Sequence, residues 1–281
     1  MQKRLVWNLV LIFGLAIIVR FWNFYESVYF AYDQARDLYT AQKIYKQGDI
    51  KLIGPPVSGA TNLFHGVMYW YMLVPVDWIT GGDPIKIAMI YRVINALGVL
   101  VVFAVARKMF SKKTALIAAL VYAVSFEQTQ YAMYVGNPTL GGIMIVLMFI
   151  GVIWQSAPLV FSAAALALQF NLMYVYSFVL AVVLGIFFRL KKYKLAAIVT
   201  MILVSSFVVA EVKYDFRGIK SAVLVLQHGY NNMTVGQSRI SLYWDKYLTM
   251  YADNLGVSNI LIILGLTAWL VFKAKNDKRY R

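Results

Sequence analysis

The sequence predicts an all-α protein: a polytopic transmembrane helical bundle of about eight spans, with two interfacial helices in its first outer loop. Three observations predict it. The 281 residues are 61% hydrophobic and only 14% charged, at a mean hydropathy of +0.67, whereas soluble domains carry about 25% charged residues. Apolar runs of the ~20 residues that a spanning helix requires recur along the chain. Between those runs, Lys and Arg stand in short clusters.

The first run, 5–24, follows Met1-Gln2-Lys3-Arg4 and imitates a signal peptide. It is too long for a signal-peptide core and lacks a small-residue cleavage site, so a retained helix is expected. An outer loop from Tyr25 to Asp83 comes next. It holds a predicted helix over 33–47, with Leu38, Ala41 and Tyr45 at helical spacing. Gly54-Pro55-Pro56 makes a rigid turn. The segment 65–80 is aromatic and apolar but short, and contains Pro75 and Asp77. It reads as a helix lying on the membrane, with Val67, Tyr71, Val74 and Trp78 on its apolar side.

Spans are then expected at 87–107, 114–133 and 139–155. The run 157–189 is too long for one span, and Gln169 and Asn171 interrupt it, so two helices should meet there, the second at 172–189. Spans at 195–211 and 257–273 complete the set, separated by a polar loop over about 212–256.

With 65–80 on the surface, one face collects the basic residues near 3–4, 107–113, 189–194 and 273–281, and of the 12 acidic residues only Asp277 falls on that face. By the positive-inside rule that face is cytoplasmic. An integral protein of a bacterial or archaeal plasma membrane is expected, with both termini cytoplasmic and the loops 25–83 and 212–256 outside.

The net charge of +15 does not point to nucleic acid, because no basic stripe with interleaved aromatics exists. Anchoring beside anionic lipid explains the clusters better. The chain has no Cys, which removes disulfides, thiolate catalysis and Cys-ligated metals.

The densest chemistry is Tyr32-Asp33-Gln34-Ala35-Arg36-Asp37, at the point where the chain first leaves the bilayer. At spacings of three and four, Asp33, Arg36 and Asp37 share a helix face. Two readings stand: Asp33 caps the helix while Arg36 pairs with Asp37, or Asp33 takes a proton from an acceptor hydroxyl while Arg36 holds phosphate oxygens. His65 opens the second surface helix, either as a capping residue or as a contact to phosphate or sugar. Asn137-Pro138 stops one helix and starts another, and Asn137 could also bond a sugar. Arg217 and Lys220, three apart in a mixed cluster after the seventh span, are either solvated or supply cations to a phosphate leaving group. No HxxxH or HExxH spacing signals a metal, so no cofactor is assigned, a divalent ion being left open. Walker, GxGxxG, GxSxG and DxD patterns are absent.

The stretches YDQARD at 32–37, HGVMYWYML at 65–73, ARKMFSKKTAL at 106–116, YAMYVGNPTL at 131–140 and VKYDFRG at 212–218 resemble, in order and placement, the GT-C membrane glycosyltransferases. The protein O-mannosyltransferase and lipid A aminoarabinose transferase branches are the nearest in character. The resemblance covers residues 1–220, a catalytic transmembrane module; 221–281 would add outer loop, last span and basic cytoplasmic tail. It implies an inverting enzyme that moves a sugar from a polyprenyl-phosphate carrier to a lipid, glycan or protein acceptor outside the membrane. The position matching the family's acceptor-activating aspartate is Asp33, with Tyr32, Arg36, Asp37, His65, Asn137, Arg217 and Lys220 as substrate contacts. Gln34 stands where those branches have Glu, Gly66 where they have Pro, and Asn137 where the Asp-Pro form has its second acid. The family members also run longer. Two alternatives follow: a transporter or flippase of lipid-linked glycan, and an inactive or partner-dependent relative of the enzymes.

Overall fold

The structure, a computed structural model, describes residues 2–57 and 62–228, and beyond them residues 244–246, 248–249, 252–253 and 265. The chain divides into two units, residues 1–124 with 128–232, and residues 125–127 with 233–281. In the second unit, the described positions beyond 232 are helical. The first unit contains the helices that build the site.

The described residues are helical, with isolated bridges and no strand. In chain order the helices are α1 (Gln2–Phe21), α2 (Tyr32–Gln47), α3 (Met68–Thr80), α4 (Pro84–Met109), α5 (Lys112–Val124), α6 (Phe126–Met133), α7 (Pro138–Ile153), α8 (Ala157–Phe170), α9 (Tyr176–Phe187), α10 (Tyr193–Lys213) and α11 (Arg217–His228). Short 3₁₀ turns, Tyr25–Ser27 and Leu172–Val175, follow α1 and precede α9.

Among the described residues, three helices are long and apolar enough to cross a membrane: Lys3–Phe21, Pro84–Met109 and Tyr193–Lys213. The last buries only Ala196 and exposes Ile198, Met201, Ile202, Val208 and Val209. Such a surface is costly in water and compatible with lipid. The segments Pro138–Ile153, Ala157–Phe170 and Leu172–Phe187 are apolar but shorter. The expected span 257–273 lies outside the described residues except for residue 265, which is helical.

Several expectations are corrected. The span 114–133 is two helices, α5 and α6. Arg20 explains the end of α5: its guanidinium donates to the carbonyls of Ala123 at 2.8 Å and Tyr122 at 3.3 Å, satisfying acceptors that a continuing helix would have used. Of the loop expected over about 212–256, residues Arg217–His228 form α11, and most of the remainder lies outside the described residues. On the side of α3 expected to be apolar and membrane-directed, Tyr71 and Val74 are only partly covered, which is compatible with that expectation, and the helix packs by another side. Tyr69, Trp70, Leu73, Val76 and Asp77 are buried, whereas Trp78 is exposed. The reason is polar. Asp77 accepts from Gln42 Nε2 at 3.1 Å and from the Tyr45 hydroxyl at 2.8 Å, and Trp70 Nε1 donates to Asp37 at 2.9 Å. A buried carboxylate needs partners, and these lie on α2.

Among the described residues, three apolar clusters hold the unit together. Leu38, Ala41, Tyr69, Leu73, Ile87 and Tyr91 join α2, α3 and α4. Ala16, Val99 and Ala119 join α1, α4 and α5. Met148, Val160, Leu184 and Ala196 join α7 to α10. The turns 154–156 and 189–192 are clipped together, Lys191 N donating to Gln155 O at 2.9 Å and Ala157 N to Lys191 O at 3.0 Å. Asn137 before α7 and Asn171 after α8 meet in one cavity with residues of α2, at the other end of the α7–α8 pair.

Candidate active site

That cavity, of about 420 Å³, is lined by Asp33, Arg36 and Asp37 of α2, by Pro55, Pro56 and His65 of the loop before α3, and by Tyr134, Asn137 and Asn171. Five residues expected at a site from sequence therefore converge, although they are drawn from three separate segments.

The start of α2 sets the carboxylates. The expected cap, Asp33, is not the cap: the helix begins one residue earlier, with Ala31 at the N-cap position. Gln34 Oε1 accepts the Ala31 N–H at 3.0 Å, and Gln34 Nε2 donates to Val135 O at 3.1 Å. The amide thus closes the helix start and ties it to the Tyr134–Asn137 loop, a double duty a carboxylate could not perform because it cannot donate. Released from capping, Asp33 faces the cavity with 48% of its side chain exposed, against 6% for Asp37.

Arg36 lies between them. Its Nη1 meets Asp33 Oδ1 at 2.7 Å and its Nη2 meets Asp37 Oδ1 at 2.8 Å. Burial raises the Asp37 carboxyl above the usual carboxylate range, while Trp70 and Arg36 pull it back. One guanidinium facing two carboxylates is poorly placed to attract a phosphate, so an anionic ligand needs other cations.

His65 is fixed from two directions. The segment Pro55–Val57 pairs with Leu63–His65, His65 N donating to Pro55 O at 2.8 Å and Val57 N to Leu63 O at 2.8 Å. The ring Nδ1 accepts the Leu172 N–H at 2.9 Å. Burial, and then the Arg36 charge, push the imidazole down to about 4, so it is neutral at physiological pH. Gly66 lets this loop press on α8: a Cβ there would collide with the side chain and backbone of Gln169. That contact also leaves no room for a proline ring.

Asn137 precedes α7 in helical conformation and makes no side-chain cap. Its Nδ2 is buried without a partner, which leaves donors for a ligand.

A second cavity, of about 630 Å³, adjoins this one and is mainly apolar, with Leu52, Ile53, Phe64, Phe207, Val208 and Phe216 among its walls. His65 lines both. Arg217 belongs to the second cavity rather than to the first, contrary to a single shared pocket with Asp33. Lys220 lines neither of these cavities and is exposed on α11. Tyr32 is also outside them, 78% exposed, with Arg36 6.0 Å from its ring centre. Among the described residues no group of three or more metal-ligating side chains comes together.

No protein-family model, no curated protein and no solved structure matches this chain.

Sequence reasoning missed Tyr134, Asn171 and the two prolines as cavity walls. It also missed the fully buried Arg20 and Arg92. Asn171 carries a visible signal, the polar break between α8 and α9, which by itself points only to a bend.

Proposed function

We propose that the chain is an inverting membrane glycosyltransferase of the GT-C type, with about eight spans, its termini cytoplasmic and its site outside. The donor is a sugar on a polyprenyl-phosphate carrier. One observation carries this reading: a cavity containing a half-exposed carboxylate shares His65 with a mainly apolar cavity of about 630 Å³. Chemistry and greasy substrate are thereby neighbours.

In the reaction, the acceptor hydroxyl oxygen bonds the anomeric carbon as that carbon's bond to the phosphate oxygen breaks. The electron pair leaves with the phosphate, and Asp33 takes the hydroxyl proton. Arg36 orients Asp33. Because the α2 carboxylates outnumber their guanidinium, the leaving phosphate belongs on the other side, near Arg217 and the ring Nε2–H of His65. Asn137 supplies donors to a sugar hydroxyl.

The test is to incubate membranes containing the full chain with a panel of labelled polyprenyl-phosphate sugars and to determine the anomeric configuration of any product. Transfer with inversion supports the reading. Retention, or movement of glycolipid across vesicles with no new glycosidic bond, contradicts it.

A further inference from the structure

A third cavity, of about 610 Å³, opens on the other side of Tyr134, which lines both it and the Asp33 cavity. His65 is shared in the same way between the Asp33 cavity and the apolar one. The three spaces therefore run in series: an apolar cavity, the carboxylate cavity, and an open cleft walled by Glu26, Tyr29, Gln130 and Tyr134.

The surface of this cleft is specific. Tyr29 and Tyr134 stack with ring centroids 6.2 Å apart and planes at 27°, and their backbones form a parallel bridge. Tyr29 is 57% exposed. Beside the rings stands the Glu26 carboxylate, which accepts from Asn23 Nδ2 at 2.5 Å, and Gln130 is exposed next to them. Burial and the Asp33 charge raise the Tyr134 phenol, so the ring that forms this wall also lies within the electrostatic reach of Asp33.

The floor is held rigid from inside. Arg92, fully buried, donates to Ser27 O at 3.2 Å, to Ser27 Oγ at 3.0 Å and to Arg20 O at 2.5 Å. Its guanidinium also lies 4.5 Å from the Phe24 ring centre. A desolvated cation is expensive, and this one fixes the turn that presents Glu26 and Tyr29.

A pair of stacked rings, Tyr29 exposed and Tyr134 half-buried, flanked by a carboxylate and an amide suits a pyranose ring. The sugar's C–H face covers the apolar rings, and its hydroxyls bond the planar polar groups. A lipid tail has no use for those polar groups, and the cleft offers no unpaired strand edge for a peptide. We infer that the Glu26–Tyr29–Tyr134 cleft binds the acceptor, and that the acceptor is a carbohydrate. This rests on the transferase reading above. The carbohydrate hydroxyl reaches past Tyr134 to the anomeric carbon, its proton passes to Asp33, and the phosphate leaves toward the apolar cavity.

The full chain in lipid nanodiscs is examined by saturation-transfer-difference NMR with soluble oligosaccharides of mannose, glucose, galactose and N-acetylglucosamine. Saturation should reach the C–H protons of at least one of them. It should fall at least tenfold in Tyr29→Ala and in Glu26→Gln, and persist in Tyr39→Ala, which alters an exposed ring on α2 away from the cleft. Absence of contact with every sugar, or contact that survives Tyr29→Ala and Glu26→Gln, overturns the inference. Binding without transfer from any labelled donor keeps the carbohydrate site and removes the transferase reading instead.

Discussion

The backbone amide of Leu172 donates to Nδ1 of His65 at 2.9 Å, and because an amide can only donate, the neutral imidazole carries its proton on Nε2. One ring nitrogen is thereby used by the fold, and the other is left as a hydrogen-bond donor at the junction of two cavities.

The two nitrogens can be separated by substitution. In His65→Asn the amide oxygen still meets Leu172 N–H, but the Nε2 donor is gone. Thermal unfolding should stay near that of the parent while sugar transfer falls. His65→Gln places its amide nearer the Nε2 position, and should lose more stability than activity. A ¹⁵N spectrum of the labelled parent should show protonated Nε2 between pH 5 and 8; protonated Nδ1 contradicts the assignment.

The same ring gives an acid-side dependence. Its folded value of about 4 lies below the ordinary 6.5. As pH falls, the unfolded chain binds the proton first, so stability is lost between about 6.5 and about 4 and not further below. The loss from pH 7 to pH 5 should therefore be larger in the parent than in His65→Asn, by about 2 kcal/mol. Parallel melting curves across that range check it, and equal slopes contradict it.

Asp37 shows the opposite sign. Burial raises its carboxyl, so the folded state keeps the proton longer. Its contribution is favourable at low pH and is lost as pH rises from the ordinary carboxylate value, about 4, through the raised one. Relative to Asp37→Asn, whose amide oxygen can still accept from Trp70, the parent should become less stable over that rise. Trp70→Phe removes the donor at 2.9 Å and should cost about 1–3 kcal/mol at neutral pH. Paired unfolding measurements at several pH values decide both.

Arg92→Met leaves the carbonyls of Arg20 and Ser27 without the donors they have now. Destabilisation of about 1–3 kcal/mol is expected for such orphaned acceptors. Arg92→Lys, with a single ammonium on a flexible stem, should recover only part of it. Melting temperatures of the purified variants in detergent report this directly, and an unchanged value for Arg92→Met contradicts the role given to Arg92.

These particulars also show what a linear reading reaches. A helix over 33–47 was legible because Leu38, Ala41 and Tyr45 stand at helical spacing, and in α2 Leu38 and Ala41 are buried. The bend at Asn171 was legible because polar residues interrupt an apolar run. The division of 114–133 was not, because its cause, Arg20, sits about a hundred positions earlier. The packed face of α3 was hidden as well: that helix is apolar nearly all round, and its orientation follows from Asp77 and Trp70 finding partners on α2. At the site, the residues that meet at helix ends were foreseeable from their placement. The separation of Arg217 from Asp33 was not, since it depends on the fold of α11, whose residues look like loop. Gln34 carried no chemical signal, and its function is to hold two loops together.

The most direct measurement is the rate of sugar transfer from a labelled polyprenyl-phosphate donor by Asp33→Asn, compared with the parent at equal amounts of folded protein in the membrane. Loss of the base should lower that rate by about 10²–10⁴-fold, with Tyr39→Ala close to the parent. A rate for Asp33→Asn equal to that of the parent contradicts the account.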